Sequence, residues 1–86
     1  MNINQLIAII KKKLEQNIKI EEISIDDKSF LHKNHKSHQE GKFHLKLIIK
    51  SEELVKTSKI VSTKRIYNIL DQELKVHIHS IQILLN

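Results

Sequence analysis

Apolar residues near the start of the chain recur at helical spacing. Five of them fall at positions i, i+3, i+4, i+7 and i+11: Ile3, Leu6, Ile7, Ile10 and Leu14. Lys11 to Lys13 and Glu15 lie largely off this stripe, so one face is apolar and the other is charged. The pattern predicts an amphipathic helix over roughly Asn4 to Gln16, with Asn2 or Asn4 able to cap it.

Apolar alternation with a period of two then predicts strands. Phe43 to Lys50 carries an apolar residue at every second position, which is typical of a strand with one buried face. Ile18 to Ile25 is rich in isoleucine but changes parity halfway, which indicates either a bulge or a strand that begins late, near Glu22. Asp26 to Lys42 is charged and predicts a long surface loop, a feature that is usually functional or disordered.

The second half of the chain predicts two helical segments and a final strand. Ser51 can cap a short helical turn through Leu54 to Lys56, and a longer helix is predicted to begin at Ser62 after a connection over Thr57 to Ile60. The buried face of that helix would carry Ile66, Ile69, Leu70 and Leu74. His77 to Leu85 alternates again and predicts the last strand.

The order helix, strand, strand, helix, helix, strand predicts an α+β fold, with helices on one face of a small three-stranded mixed sheet. The short turn and the helix after it resemble a helix-turn-helix in layout. A chain of 86 residues is expected to form a single domain, residues 1–86, around a thin core.

Composition bears on the compartment. No stretch approaches the ~18 consecutive apolar residues of a membrane span. Charge follows the short apolar run at the N-terminus, whereas a signal peptide has its charge first. The chain contains no cysteine, which fits a reducing environment. We therefore expect a cytoplasmic protein that does not enter a membrane.

Histidine is the most unusual component, with six residues in the chain. Imidazole binds borderline transition metals and titrates near neutral pH. His32, His35 and His38 lie in the predicted loop, where they could converge on a metal, although scattered surface histidines are the common alternative. His44 is expected to be structural or exposed.

The remaining two histidines, His77 and His79, begin the last predicted strand and share its parity with the isoleucines that follow. Such residues would ordinarily be half-buried structural side chains. The chain has no glycine-rich phosphate loop and no serine within a recognised nucleophile motif, so catalysis is not expected.

The formal charge of +5 favours an anionic partner. Lys56, Lys59, Lys64 and Arg65 cluster on the second helical region and could neutralise phosphates. Aromatic platforms for single strands are missing, so the cluster predicts backbone contact rather than sequence readout. A solvated helix face is the alternative.

Taken in order, several segments of the chain resemble the BolA family. The matching segments are Asp27 to His32 with His35 soon after, His44 to Ile49, Ser51 with Leu54, Lys64 to Leu70, and Ile78 to Ile81. The resemblance implies an α-β-β-α-α-β fold similar to a type II KH domain. It covers nearly the whole chain.

The resemblance also implies a non-enzymatic function. Its implied partner is a monothiol glutaredoxin, and a [2Fe–2S] cluster would bridge the two proteins for iron homeostasis, sensing or cluster delivery. The glutaredoxin would contribute a cysteine and glutathione its thiolate. This chain would contribute His79 and a loop histidine, either His32 or His35, with His38 less favoured. The isolated protein would hold no cofactor and would be a monomer or weak homodimer.

One departure from the family bears on the alternatives. Ser62 and Thr63 stand where the family usually has a basic residue and a histidine. This departure weakens the alternative function, a DNA-binding transcriptional regulator that uses the KH-like surface. A third possibility is a zinc or nickel binder that uses the loop histidines without a partner.

Overall fold

The computed structural model describes residues 2–28 and 42–86, which contain four helices and three strands. The elements are α1 (Ile3–Asn17), β1 (Glu22–Asp27), β2 (Phe43–Lys50), α2 (Glu52–Val55), α3 (Lys59–Ile69), α4 (Asp71–Val76) and β3 (Ile78–Leu85). The sheet has the order β1-β2-β3, with β1 antiparallel and β3 parallel to β2. The predicted α+β fold with a three-stranded mixed sheet is confirmed.

One apolar core joins the helices to a single face of the sheet. The central strand contributes Leu45, Leu47 and Ile49, each at most 3% exposed. The helical and β3 side chains in the same cluster include Leu6, Ile10, Leu14, Ile66, Leu70 and Ile83. Residues four apart on α1 stack on one side of the helix, so its apolar stripe covers the sheet as the periodicity predicted. Within the described residues, no helix is long and apolar enough to cross a membrane.

Local capping explains where the first helices begin. The Asn2 side chain accepts a hydrogen bond from the Gln5 amide at 2.8 Å, and the Gln5 side chain accepts one from the Asn2 amide at 3.1 Å. This reciprocal pair satisfies two amides that the first turn leaves without helical partners. Ser51 caps α2 with a single hydrogen bond, which its hydroxyl accepts from the Leu54 amide at 3.2 Å.

Strand pairing corrects the predicted start of the long loop. β1 begins at Glu22, which confirms the interpretation that the strand begins late. It continues through Asp26 and Asp27, which the sequence had assigned to the loop. Those two residues pair with Lys46 and Leu45 on β2, so they belong to the sheet and not to the loop. Residues 29–41 lie outside the described part of the chain.

The second half of the chain departs further from the predicted boundaries. α3 begins at Lys59 and not at Ser62, because the Ser58 hydroxyl accepts a hydrogen bond from the Val61 amide and caps the helix there. Ser62 is instead fully buried, and its hydroxyl donates to the Leu54 carbonyl at 2.6 Å. The predicted single helix also breaks at Leu70, so Leu74 lies on α4.

A partly buried ion pair links α1 to α4. Lys13 Nζ lies 2.7 Å from Glu73 Oε2, and the two side chains are 34% and 8% exposed. The second carboxylate oxygen, Oε1, is buried and has no hydrogen-bond partner among the described residues. The lysine is therefore the main compensation for a buried charge.

We expect Lys13→Met to destabilise the protein by about 2–3 kcal/mol, because it leaves the Glu73 carboxylate buried without its cation. The double substitution Lys13→Met with Glu73→Leu should recover most of that loss, since no unpaired charge remains. Urea unfolding measures both. Lys75→Met is the matched control, because its pair with Asp71 is exposed and should contribute less than about 1 kcal/mol. If the double variant is as unstable as Lys13→Met alone, the loss does not come from an unpaired Glu73 carboxylate and the role given to Lys13 is wrong.

Candidate functional site

Three described histidines lie at the end of the sheet where β2 and β3 begin. These strands are parallel, so the start of β2 at Phe43 and the start of β3 at Ile78 meet at the same end. The Phe43 amide donates to the His77 carbonyl at 2.9 Å. The rings of His44 and His79 have centroids 4.7 Å apart and are tilted by 53°. The fold therefore places His44 against His79, with His77 at the same end of the sheet.

A register shift between β2 and β3 determines the exposure of His79. Phe43 pairs with Ile78, whereas His44 pairs with Ser80, so His79 is the extra residue of a bulge. Ile78 enters the core at 3% exposure and His79 is exposed. The expectation of a half-buried His79, in phase with the isoleucines, is wrong because the bulge interrupts the alternation. His77, by contrast, is half-buried.

His44 is held in place by two neighbours from β3. Its side chain lies on the sheet face opposite Leu45, and the residue is only 6% exposed. Its Nδ1 atom lies 2.7 Å from Ser80 Oγ, and its ring packs against His79. A hydrogen bond to one ring nitrogen fixes the orientation of an imidazole. The burial fits the structural role expected of His44, while no sequence signal singled out Ser80.

The predicted loop ligands His32, His35 and His38 lie outside the described residues. Lys28 and Lys42 are the described residues on either side of that segment. The Lys28 amide donates to the His44 carbonyl at 2.7 Å, and the chain re-enters the sheet at the start of β2. Lys28 and the start of β2 thus lie at the same end of the sheet as His44. Among residues 2–28 and 42–86, no three histidine, aspartate or glutamate side chains form a group that could hold a metal.

The donors at this end of the sheet suit a metal group that another molecule completes. His79 offers an exposed imidazole, and the chain has no thiolate to offer because it has no cysteine. Borderline transition metals accept imidazole nitrogen alongside sulfur ligands. An exposed imidazole beside a buried, oriented neighbour is accessible to another molecule and still limited in its motion.

The basic residues predicted to contact nucleic acid do not form one unpaired face. Arg65 makes an ion pair with Glu53 of α2 at 2.8 Å. Lys56 Nζ lies 3.8 Å from a carboxylate oxygen of Glu52, the first residue of α2. Lys59 and Lys64 instead line one groove on the outer side of α3. The fold therefore brings two of the four residues together and pairs the other two with carboxylates.

Comparison with known proteins identifies a family. Residues 14–86 match the family model described as BolA-like protein. The BolA domain of SufE1 from Arabidopsis thaliana is 26% identical and superposes with a TM-score of 0.77, covering 100% of this chain and 93% of that one. BolA1 from Arabidopsis thaliana is 21% identical, with a TM-score of 0.75 and coverage of 92% and 87%. A bol-like protein from Babesia bovis is 12% identical, with a TM-score of 0.69 and coverage of 91% and 79%. No curated protein matches the sequence.

Proposed function

The chain belongs to the BolA-like family, and from this premise we propose that it binds a monothiol glutaredoxin and shares a bridging [2Fe–2S] cluster with it. The observation that carries the proposal is the exposed His79, which lies against the buried His44 at the end of the sheet where β2 and β3 begin. The protein acts as a binding partner in the cytoplasm and not as an enzyme. Its role is in iron homeostasis, cluster sensing or cluster delivery.

The ligand assignment is the one that the family resemblance implies. This chain would supply the His79 imidazole and one loop imidazole, from His32 or His35. The glutaredoxin would supply a cysteine, and glutathione its thiolate. A cluster held partly by imidazoles has a higher reduction potential than one held by thiolates alone. His44, fixed by Ser80, would limit the orientations that the His79 ring adopts.

The test is anaerobic reconstitution. The protein is mixed with a monothiol glutaredoxin, glutathione, ferrous iron and sulfide, and visible circular dichroism is recorded with native mass spectrometry. We expect a spectrum distinct from that of the glutaredoxin homodimer, and a mass for one copy of each protein plus the cluster. Acidification from about pH 7.5 to about pH 5.5 should release the cluster, because imidazoles bind metal only when neutral. A spectrum identical to the homodimer spectrum would overturn the proposal.

A control separates this function from simple metal binding. The protein alone is titrated with zinc or nickel. Tight binding without glutaredoxin, together with failed reconstitution, would favour the partner-free metal binder. DNA binding remains the alternative function, and the KH-like and helix-turn-helix descriptions remain predictions. The ion pairs of Lys56 and Arg65 reduce the basic surface that this alternative needs.

A further inference from the structure

The outer side of α3 exposes large apolar side chains. Ile60 is 69% exposed and Tyr67, the single tyrosine of the chain, is 42% exposed. The two residues are seven positions apart, so they lie two turns apart on the same side of the helix. Together with Lys59, Thr63 and Lys64, which also belong to α3, they line one shallow, open depression on the helix surface, called here the α3 groove.

Core packing does not account for these residues. α3 buries Ser62 and Ile66 on its inner side, and Ile69 packs against the core from the same side. Ile60 and Tyr67 do not belong to the apolar cluster that joins the helices to the sheet. Single exposed apolar residues are ordinary on protein surfaces, but a pair at helical spacing along one groove is typical of a binding surface.

The positive charges beside the α3 groove indicate which kind of partner it would bind. α3 contains no acidic residue, and Lys59 and Lys64 border the groove. Within the described residues neither lysine lies in an ion pair, whereas Lys13, Lys56, Arg65 and Lys75 each do. Lys59 also stands at the first position of α3, where a cation opposes the helix dipole. This placement disfavours the helix slightly, and an anionic partner at Lys59 would relieve that repulsion.

We propose that the α3 groove docks an amphipathic helix of a partner protein, one whose apolar side chains are flanked by aspartate or glutamate. The apolar side chains would pack between Ile60 and Tyr67, and the carboxylates would meet Lys59 and Lys64. This arrangement is the helix-in-groove mode of recognition, with anchors about one and two turns apart.

Two other occupants fit the groove less well. A nucleic acid backbone would use the lysines but would leave Ile60 and Tyr67 without apolar contacts, since phosphates demand polar donors. A second copy of this chain would bring Lys59 and Lys64 of both copies together, and like charges across an interface are unfavourable. An acidic amphipathic helix satisfies both the apolar and the charged residues.

The α3 groove is separate from the histidine end of the sheet. Lys59, at the start of α3, also borders a second groove with Leu84 and Leu85, at the far end of β3. His79 lies at the beginning of the same strand. The Lys59 end of the groove therefore lies at the opposite end of the sheet from His79, and no described histidine lines the groove, so the proposal does not depend on the cluster.

The test titrates the full chain, labelled with nitrogen-15, with a synthetic helical peptide of about 16 residues, whose leucines recur at helical spacing with glutamates beside them. We expect amide shifts confined to α3. Ile60→Ser and Tyr67→Ala should each weaken binding by about 10-fold. Lys59→Gln combined with Lys64→Gln should weaken it similarly and remove most of its salt dependence.

Matched controls make the result specific. Val76→Ser removes an apolar side chain of similar exposure, 53%, from α4 and should leave binding unchanged. A peptide with serine in place of leucine, at the same charge, should not bind. Because Ile60 and Tyr67 are exposed, their variants should keep the wild-type far-ultraviolet circular dichroism.

Three outcomes would overturn the proposal. The first is a peptide that fails to bind or binds Ile60→Ser as well as the wild type. The second is a DNA duplex that shifts the α3 amides when the peptide does not, which would assign the groove to nucleic acid. The third is self-association that Ile60→Ser abolishes in sedimentation, which would assign it to a second copy of the chain.

Discussion

His79→Ala is expected to abolish the heterodimer spectrum, leaving only the signal of the glutaredoxin homodimer. A bridging cluster needs a full set of ligands, and this chain can supply only imidazoles because it contains no cysteine. Losing one of two imidazoles leaves an iron coordination position open to solvent. Losing a ligand should lower the affinity for the cluster by more than the 10- to 100-fold that is typical when a residue that only orients a ligand is replaced.

The fold should survive this substitution. His79 is the exposed residue of a bulge and contributes no side chain to the apolar core. Surface substitutions of this kind usually change the free energy of unfolding by less than about 0.5 kcal/mol. Urea unfolding of His79→Ala should therefore match the wild type, so a lost spectrum reports on the ligand and not on folding.

Neighbouring histidines provide the comparison. His77→Ala tests the half-buried histidine two residues earlier, whose carbonyl bonds to Phe43. His44→Gln removes the ring that packs on His79 and should weaken the cluster without abolishing it. If His77→Ala loses the spectrum and His79→Ala keeps it, the ligand assignment moves to His77 and the glutaredoxin partnership stands.

The same heterodimer spectrum can identify the second ligand. Single alanine substitutions at His32 and His35 should separate the two candidates, since only the ligand should reduce the spectrum as far as His79→Ala does. If no histidine substitution changes the heterodimer spectrum, the shared cluster is not held by this chain, and the proposed function is wrong.

Leu47→Ala is expected to cost about 3–4 kcal/mol of unfolding free energy. Leu47 is fully buried at the middle of the central strand, between Ile25 on β1 and Ile83 on β3. Its truncation removes apolar contacts and leaves a cavity that neighbours on two strands cannot close. Because small domains are only marginally stable, the melting temperature should fall by roughly 15–30 °C.

A leucine on the opposite face of the same sheet is the matched control. Leu84 is half-buried and pairs with Ile48 on the face that is not part of the core. Leu84→Ala should cost about 1 kcal/mol, a typical value for a surface-side substitution. Denaturant unfolding with both variants measures the difference, and an equal loss from the two would contradict the assignment of the core to one face.

The sequence predicted the fold well where the signal is local. The stripe ending at Leu14 and the row containing Leu47 each repeat with the period of one element, and burial follows that period. Caps are also local, since Asn2 and Ser51 bond to amides within three residues. The order of the elements then left few ways to build a small α+β sheet.

The candidate site was only partly predictable. Residue chemistry pointed to the histidines, and the family resemblance selected His79 among them. Neither showed that the ring of His44, 35 positions before His79 in the chain, would lie against it. That contact depends on the pairing of β2 with β3, and no pattern within either strand encodes their relative register.

Local sequence therefore determined which faces are apolar, where the first helices begin and which residue types are available as ligands, because each depends on near neighbours along the chain. Tertiary structure alone decided three things: the bulge that exposes His79, the burial of Ser62 beneath the turn before α3, and the break at Leu70. The bulge depends on the pairing of β2 with β3, and the burial of Ser62 depends on the packing of α3 against α2, so contacts between elements outweigh the local pattern there.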